Sequence, residues 1–168
     1  MKALVRRGRA TRQIERRPDE GGVTEYLGFR VASSNYALPV AIVREIVRSG
    51  HLTPVPRAPA GVLGISSFRG RVITVIDLGS RLGLASSVVQ PTAGPIKIPK
   101  LRILMVDIGQ ETLGYLVDEV LQVYRLAPRD IERATTVGTD VGMHVTGIAR
   151  PQEGGEVVQI LDPKALVP

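Results

Sequence analysis

Turn-forming residues interrupt this chain so often that no long helix or strand has room to form. Its 18 glycines and 12 prolines in 168 residues cut the apolar sequence into short runs, and several of those alternate with the period of two that marks a strand. Glu25 to Ala32 places Leu27, Phe29 and Val31 on one face. Ser33-Ser34-Asn35 then supplies turn chemistry, and Tyr36-Ala37-Leu38-Pro39-Val40 returns as the second arm of a hairpin. Val43, Ile46 and Val47 follow at a spacing that suits a strand or a helical turn. Pro54, Pro56 and Pro59 impose an extended loop, because proline donates no ladder hydrogen bond. Val62 to Phe68 and Val72 to Leu78 read as strands joined through Arg69-Gly70-Arg71. A helical turn over Ser80 to Leu84 ends at Gly83.

Residues 85–100 carry Pro91, Pro95 and Pro99 with no periodicity, and read as a linker. Strands resume over Leu101 to Ile108, Thr112 to Val120, Gln122 to Leu126, Val145 to Ala149 and Glu156 to Leu161. A short helix is expected near Ile131 and a helical turn over Pro163 to Val167. The two halves match each other: Val40, Ile46 and Arg48 align with Val117, Val123 and Arg125, Gly64-Ile65 with Gly147-Ile148, and Val72 to Asp77 with Val157 to Asp162. That is the pattern of an internal duplication. Roughly five short strands per half suit a small closed barrel, which removes exposed sheet edges. Either half alone, at ~70 residues, would be marginal, so the two are expected to share a packed seam. The expected division is a basic tail over 1–23, a first barrel over 24–84, the linker over 85–100 and a second barrel over 101–168, with exchange of terminal strands allowed.

The formal charge of +6 suggests nucleic acid until it is divided along the chain. Residues 1–17 hold seven basic side chains against Glu15, while the remaining residues balance 15 against 15. The folded part therefore lacks the electrostatic footprint of a phosphate binder, and no nucleic-acid partner is expected. A tail so basic and so poor in apolar residues has disorder as its default. No apolar run approaches the ~18–20 residues that span a bilayer, so no membrane insertion is expected. The absence of cysteine removes disulfides and thiolate chemistry and fits a reducing cytoplasm.

The catalytic inventory is thin. His51 and His144 stand 93 positions apart and form no metal-ligand spacing. There is no phosphate-binding glycine loop, and Gly64-Ile65-Ser66-Ser67-Phe68 lacks the second glycine of a nucleophile elbow. Asp118 and Glu119 are adjacent, so on a strand they face opposite ways and cannot work as a carboxylate pair. The reading is a non-enzyme with no cofactor and no metal.

An ordered set of motifs carries a resemblance. Tyr36-Ala37-Leu38-Pro39-Val40 with Val43, Glu45 and Ile46 leads on to Thr53-Pro54-Val55-Pro56, Gly64-Ile65, Phe68-Arg69-Gly70, and Val72 through Asp77-Leu78 to Arg81-Leu82-Gly83-Leu84. The second half continues with Arg102-Ile103-Leu104, Gly114-Tyr115-Leu116-Val117-Asp118, Val123-Tyr124-Arg125-Leu126 and Gly147-Ile148-Ala149-Arg150. Over about residues 24–168 the chain resembles a CheW-type chemotaxis coupling protein. The resemblance implies an all-β fold of two packed five-stranded SH3-like barrels with short helical turns. It also implies an adaptor joining the cytoplasmic tip of methyl-accepting chemoreceptors to the regulatory domain of a CheA-type histidine kinase, located in the cytoplasm at receptor arrays, with ring assembly through barrel ends. The receptor's helical hairpin would lie in a groove between the barrels, where apolar side chains supply area and charges fix register. Carried over residue by residue, the receptor contacts are Val43, Glu45, Gly64 and Arg69, with Ile46 and Gly70 beside them. Kinase-contact positions match too loosely for any to be named. Ser67-Phe68 replaces the family's usual Asn-Leu before Arg-Gly, a departure that points to an unusual partner. The alternative within the family is an accessory protein that binds receptor but not kinase.

Overall fold

The computed structural model describes residues 22–84, 96–97, 101–133, 142–152 and 154–168. The basic tail 1–17 and most of the 85–100 linker lie outside these. The elements are β1 (Thr24–Val31), β2 (Ser34–Pro39), β3 (Val43–Arg48), β4 (His51–Leu52), β5 (Val62–Phe68), β6 (Arg71–Asp77), α1 (Leu78–Arg81), β7 (Ile96–Lys97), β8 (Arg102–Ile108), β9 (Glu111–Val117), β10 (Glu119–Leu126), β11 (Ile131–Arg133), β12 (Val145–Ala149) and β13 (Val158–Leu161). Single 3₁₀ turns occupy Val40–Ile42, Pro128–Asp130 and Pro163–Leu166. The helix expected near Ile131 is the second of these. Pro128 starts it and the Asp130 carboxylate closes it by accepting from the Ala127 N–H at 2.8 Å, so Ile131 is free to open β11.

The fold is all-β, with one six-stranded sheet ordered β10-β1-β2-β13-β12-β11 and one five-stranded sheet ordered β3-β8-β9-β6-β5; β4 and β7 pair separately. The residues 85–100 do not separate these sheets. Hairpin β1–β2 is completed by β10 to β13, and hairpin β8–β9 by β3, β5 and β6. The exchange is reciprocal: β10 runs antiparallel to β1 as β3 does to β8, and β13 runs parallel to β2 as β6 does to β9. The repeat read in the sequence thus has a counterpart in topology, with each sheet built from the leading hairpin of one repeat and the trailing strands of the other.

Strand alternation explains why the exchange holds. On β8, Ile103 and Met105 point into a cluster within the five-stranded sheet, while Leu104 and Val106 point into the seam between the sheets. On β2, Ala37 packs inside the six-stranded sheet while Tyr36 and Leu38 face the same seam. Leu27, Phe29 and Val31 are there too, on the one face expected for them. The seam holds 15 buried apolar residues against 7 and 5 in the two inner clusters. At ~1.5–3 kcal/mol per large side chain buried, the interface outweighs either interior, and neither sheet is expected to fold without the other.

Candidate docking site

β3 is an edge strand with a bulge, and the bulge decides which way its side chains face. Its pairing with β8 runs Val43 to Val106, then skips to Glu45 with Met105, Ile46 with Leu104 and Val47 with Ile103. Directly paired residues share a face. Val43 and Ile46 therefore both lie on the seam side, with Val106 and Leu104, although three positions separate them. Glu45 and Val47 lie on the opposite side, with Met105 and Ile103. One extra residue in the strand accounts for this offset, and it explains why the spacing in this segment fits neither strand nor helix cleanly. Val43 packs partly against the seam cluster, while Ile46 keeps 41% of its surface exposed.

Arg69 and Gly70 form the tight turn between β5 and β6, both with positive φ, at 48° and 77°. That pair of conformations matches the twist of a two-residue hairpin, and it is costly for a residue with a side chain at the first position. The strained turn aims Arg69 back across the sheet, where its guanidinium donates to Glu45 Oε1 at 3.0 Å. The same guanidinium sits over the Phe68 ring, 5.3 Å from the centroid. Phe68, the residue that departs from the family loop, is thus the platform on which Arg69 rests. The pair is largely exposed, so its own contribution to stability is ~0–1 kcal/mol. Its effect is to hold a planar, five-donor fork in one place. Beside it opens a cleft of about 470 Å³ floored by Ile73, Val75, Ile103 and Met105, with Phe68 on its wall and Arg48 and His51 at its rim.

The four carried-over positions and their two neighbours therefore divide three ways. Glu45, Arg69 and Gly70 meet at one corner of the five-stranded sheet, and Val43 and Ile46 lie across β3 on the seam side. Gly64 is buried, where a Cβ would strike the Thr53 carbonyl oxygen. The close approach that Gly64 permits is to its own chain: Thr53 and Ile65 exchange backbone hydrogen bonds of 2.8 and 2.9 Å.

Next to this corner, Arg44 Nε donates to Asp107 Oδ2 at 3.0 Å, and the Thr112 hydroxyl donates to Asp107 Oδ1 at 2.6 Å. The Thr112 hydrogen bond, followed by Arg44 and the charge of Arg71, holds the Asp107 carboxyl below its ordinary range. Sequence reasoning did not single out this cluster, since its members come from three separated strands. The two histidines do not meet: His51 is exposed on β4 at the rim of this cleft, and His144 Nδ1 lies 3.0 Å from the Ala165 carbonyl oxygen.

Comparison with known proteins agrees with this architecture. Residues 25–168 match the model of the CheW-like domain. The chain is 31% identical over 119 residues to the chemotaxis protein CheW of Rhizobium meliloti (strain 1021), an alignment covering 71% of this chain and 72% of that one. It is 29% identical over 139 residues to protein FrzA of Myxococcus xanthus, covering 82% and 81%. Among solved structures, the scaffolding protein TtCheW from Thermoanaerobacter tengcongensis superposes with a TM-score of 0.69 at 28% identity, covering 84% of this chain and 90% of that one.

Proposed function

The chain belongs to the CheW-like domain family, and on that premise we propose that it is a non-enzymatic adaptor coupling a methyl-accepting chemoreceptor to a CheA-type histidine kinase. The observation that carries this reading is the Arg69 fork on the β5–β6 turn, braced by Phe68 and by Glu45 of edge strand β3, the strand whose other face carries the half-exposed Ile46. An amphipathic receptor helix needs both parts: apolar area to bury and a fixed charge to set its register. Val43 and Ile46 supply the first, Arg69 the second, and Glu45 and Gly70 hold Arg69 in position. The kinase's regulatory domain would join through barrel ends at positions that neither sequence nor geometry singles out, and alternation of the two proteins would build rings at receptor arrays. Among the described residues no helix is long and apolar enough to cross a membrane.

Arg69→Glu tests this reading. The exchange places two carboxylates face to face at the corner and should weaken binding of a receptor-tip helical hairpin more than tenfold, above ~1.4 kcal/mol, with little change in thermal midpoint. Loss of fold together with binding would make Arg69 architectural and end the assignment. Co-precipitation with a purified kinase regulatory domain distinguishes a full coupler from an accessory protein that binds receptor alone.

A further inference from the structure

The two sheets fill their interiors differently. Val47 on β3 holds the place of Tyr124 on β10, and Met105 on β8 that of Gly28 on β1, since Val47 pairs with Ile103 as Tyr124 pairs with Tyr26. In the six-stranded sheet the Tyr124 ring lies on the bare backbone of Gly28, where a Cβ would strike it, and packs with Tyr26 against the inner cluster. In the five-stranded sheet the shorter Val47 borders the cleft of about 470 Å³ instead. The cleft's floor of Ile73, Val75, Ile103 and Met105 is apolar, and Phe68 offers a ring at its wall. Its rim is basic: Arg48 and His51 contribute to the lining and no carboxylate does. Ser66, which pairs with Ile73 and so shares the floor's face, adds a hydroxyl. Arg102 pairs directly with Arg48 across β3 and β8, and among the described residues neither guanidinium has an ion-pair partner. At the corresponding rung of the other sheet the charges match, with Arg125 4.0 Å from Glu25.

We infer that this cleft is a binding site for a small aromatic carboxylate, its ring on the apolar floor and its carboxylate at Arg48. The ring takes the part that Tyr124 plays in the other sheet. Phe68 can meet it edge-on or offset, and the Met105 thioether is a favourable neighbour for an aromatic edge. The volume lies within the ~300–1,000 Å³ of ordinary small-molecule pockets, which pair an apolar lining with a few polar groups that fix orientation. Arg48 supplies a planar fork that matches a carboxylate, and its lack of an internal acid leaves that fork available. The Ser66 hydroxyl can donate to the same anion. A cationic ligand would find like charge at the rim and a neutral one would leave the fork unused, so selectivity for an anion follows from both attraction and repulsion. The inference goes beyond the adaptor role, and its test needs neither receptor nor kinase.

Methyl-resolved NMR titration of the full-length chain with phenylpropionate should shift the Ile73, Val75, Ile103 and Met105 methyls together and saturate, with a Kd of about 1 mM or tighter. Phenylpropanol and phenylpropylamine keep the ring and lose the anion, and should bind roughly tenfold more weakly or not at all. Acetate keeps the anion and loses the ring, and should leave the floor methyls unmoved. Arg48→Gln, at an exposed position, should lower the affinity for phenylpropionate to that for the alcohol. Val47→Tyr brings in the ring that the other sheet carries and should abolish binding while circular dichroism matches the parent; if that variant does not fold, Arg48→Gln decides. Floor methyls that stay in place, or drift without saturating, overturn the proposal. Equal affinity for the three ring compounds overturns it, as does full affinity in Arg48→Gln. A folded Val47→Tyr chain that binds like the parent places the ligand elsewhere and also overturns it.

Discussion

Gly64 on β5 and Gly147 on β12 hold the same place in the two repeats. Each follows a bulge in its hairpin, and each lets another segment cross too closely for a side chain: the Thr53 carbonyl at Gly64, and β11 at Gly147. The corner occupied by Glu45 and Arg69 has no such twin. Its counterpart on β10 carries Gln122, and the Arg69–Gly70 turn is replaced around Pro151 and Gln152, which line a separate cleft of about 500 Å³. Positions that build the sheets are alike in the two repeats, while the corner proposed to meet a partner differs between them. A difference between equivalent positions is therefore a guide to recognition, and a likeness is a guide to architecture.

The largest expected effects challenge the likeness. Gly64→Ala should cost about 3 kcal/mol and Gly147→Ala about 2, typical of overpacking a close-packed site. The first is larger because a backbone oxygen obstructs the new methyl, whereas at Gly147 the nearest obstruction is the Ile131 side chain, with the Glu132 carbonyl oxygen 2.9 Å away. Urea midpoints of the two variants give the order. An unshifted midpoint for Gly64→Ala would mean the two glycines are alike by chance.

A second equivalence sits at the end of the last long strand of each repeat. Asp77 accepts from the Gly79 N–H at 3.1 Å to start α1, and Asp162 accepts from the Lys164 N–H at 3.0 Å to start the closing 3₁₀ turn. Removing an N-cap carboxylate costs ~1 kcal/mol where water can replace it, and nearer 2 where it cannot. Asp77 is buried and Asp162 is not. Asp77→Ala should therefore lower the urea midpoint about twice as far as Asp162→Ala, and equal shifts would show that burial adds nothing at these caps.

How far these features could be read before the structure depends on how local their cause is. The β1–β2 hairpin, the Arg69–Gly70 turn, the stop at Gly83 and the closing turn at Pro163 each follow from residues within one short window. The β3 bulge did not, because period-two reasoning assumes an unbroken register, and a single extra residue turns Val43 and Ile46 to the same side. Strand exchange was legible only in outline. Repeats reveal themselves in alignment, but which hairpin completes which sheet is settled by packing at the seam. Of the candidate site, Glu45 and Arg69 were named through family resemblance and met at 3.0 Å. Gly64, a receptor-contact position by resemblance, is buried against the Thr53 carbonyl, a contact that no motif announces. Phe68 reads in the sequence only as a departure from the family loop, because a ring beneath a guanidinium leaves no trace in a motif. The Asp107 cluster leaves no local motif either, because Arg44 reaches Asp107 from a strand 63 positions away in sequence.

The smallest expected effect tests the comparison where a seam residue has changed without changing the fold. Tyr115 pairs with Leu104 as Leu38 pairs with Leu27, and both are fully buried in the seam. The phenol brings a hydroxyl that Leu38 lacks, and among the described residues that hydroxyl has no hydrogen-bond partner. A buried polar group left unpaired contributes a cost that its removal relieves. Tyr115→Phe should then leave stability at neutral pH unchanged within about 0.5 kcal/mol, or raise it. The alkaline limb is more telling. Burial pushes the Tyr115 pKa up to about 12, only partly offset by the charge of Arg81. A folded-state value above the unfolded one means stability is intact below pH ~10 and drains away as pH climbs toward 12. The phenylalanine variant should lose less over that window, keeping only the slope owed to other groups such as Tyr36, whose pKa burial also raises. Coincident curves for variant and parent across that range, or a loss above ~1 kcal/mol at neutral pH, would mean that the hydroxyl is satisfied and that this repeat has found a seam contact its twin lacks.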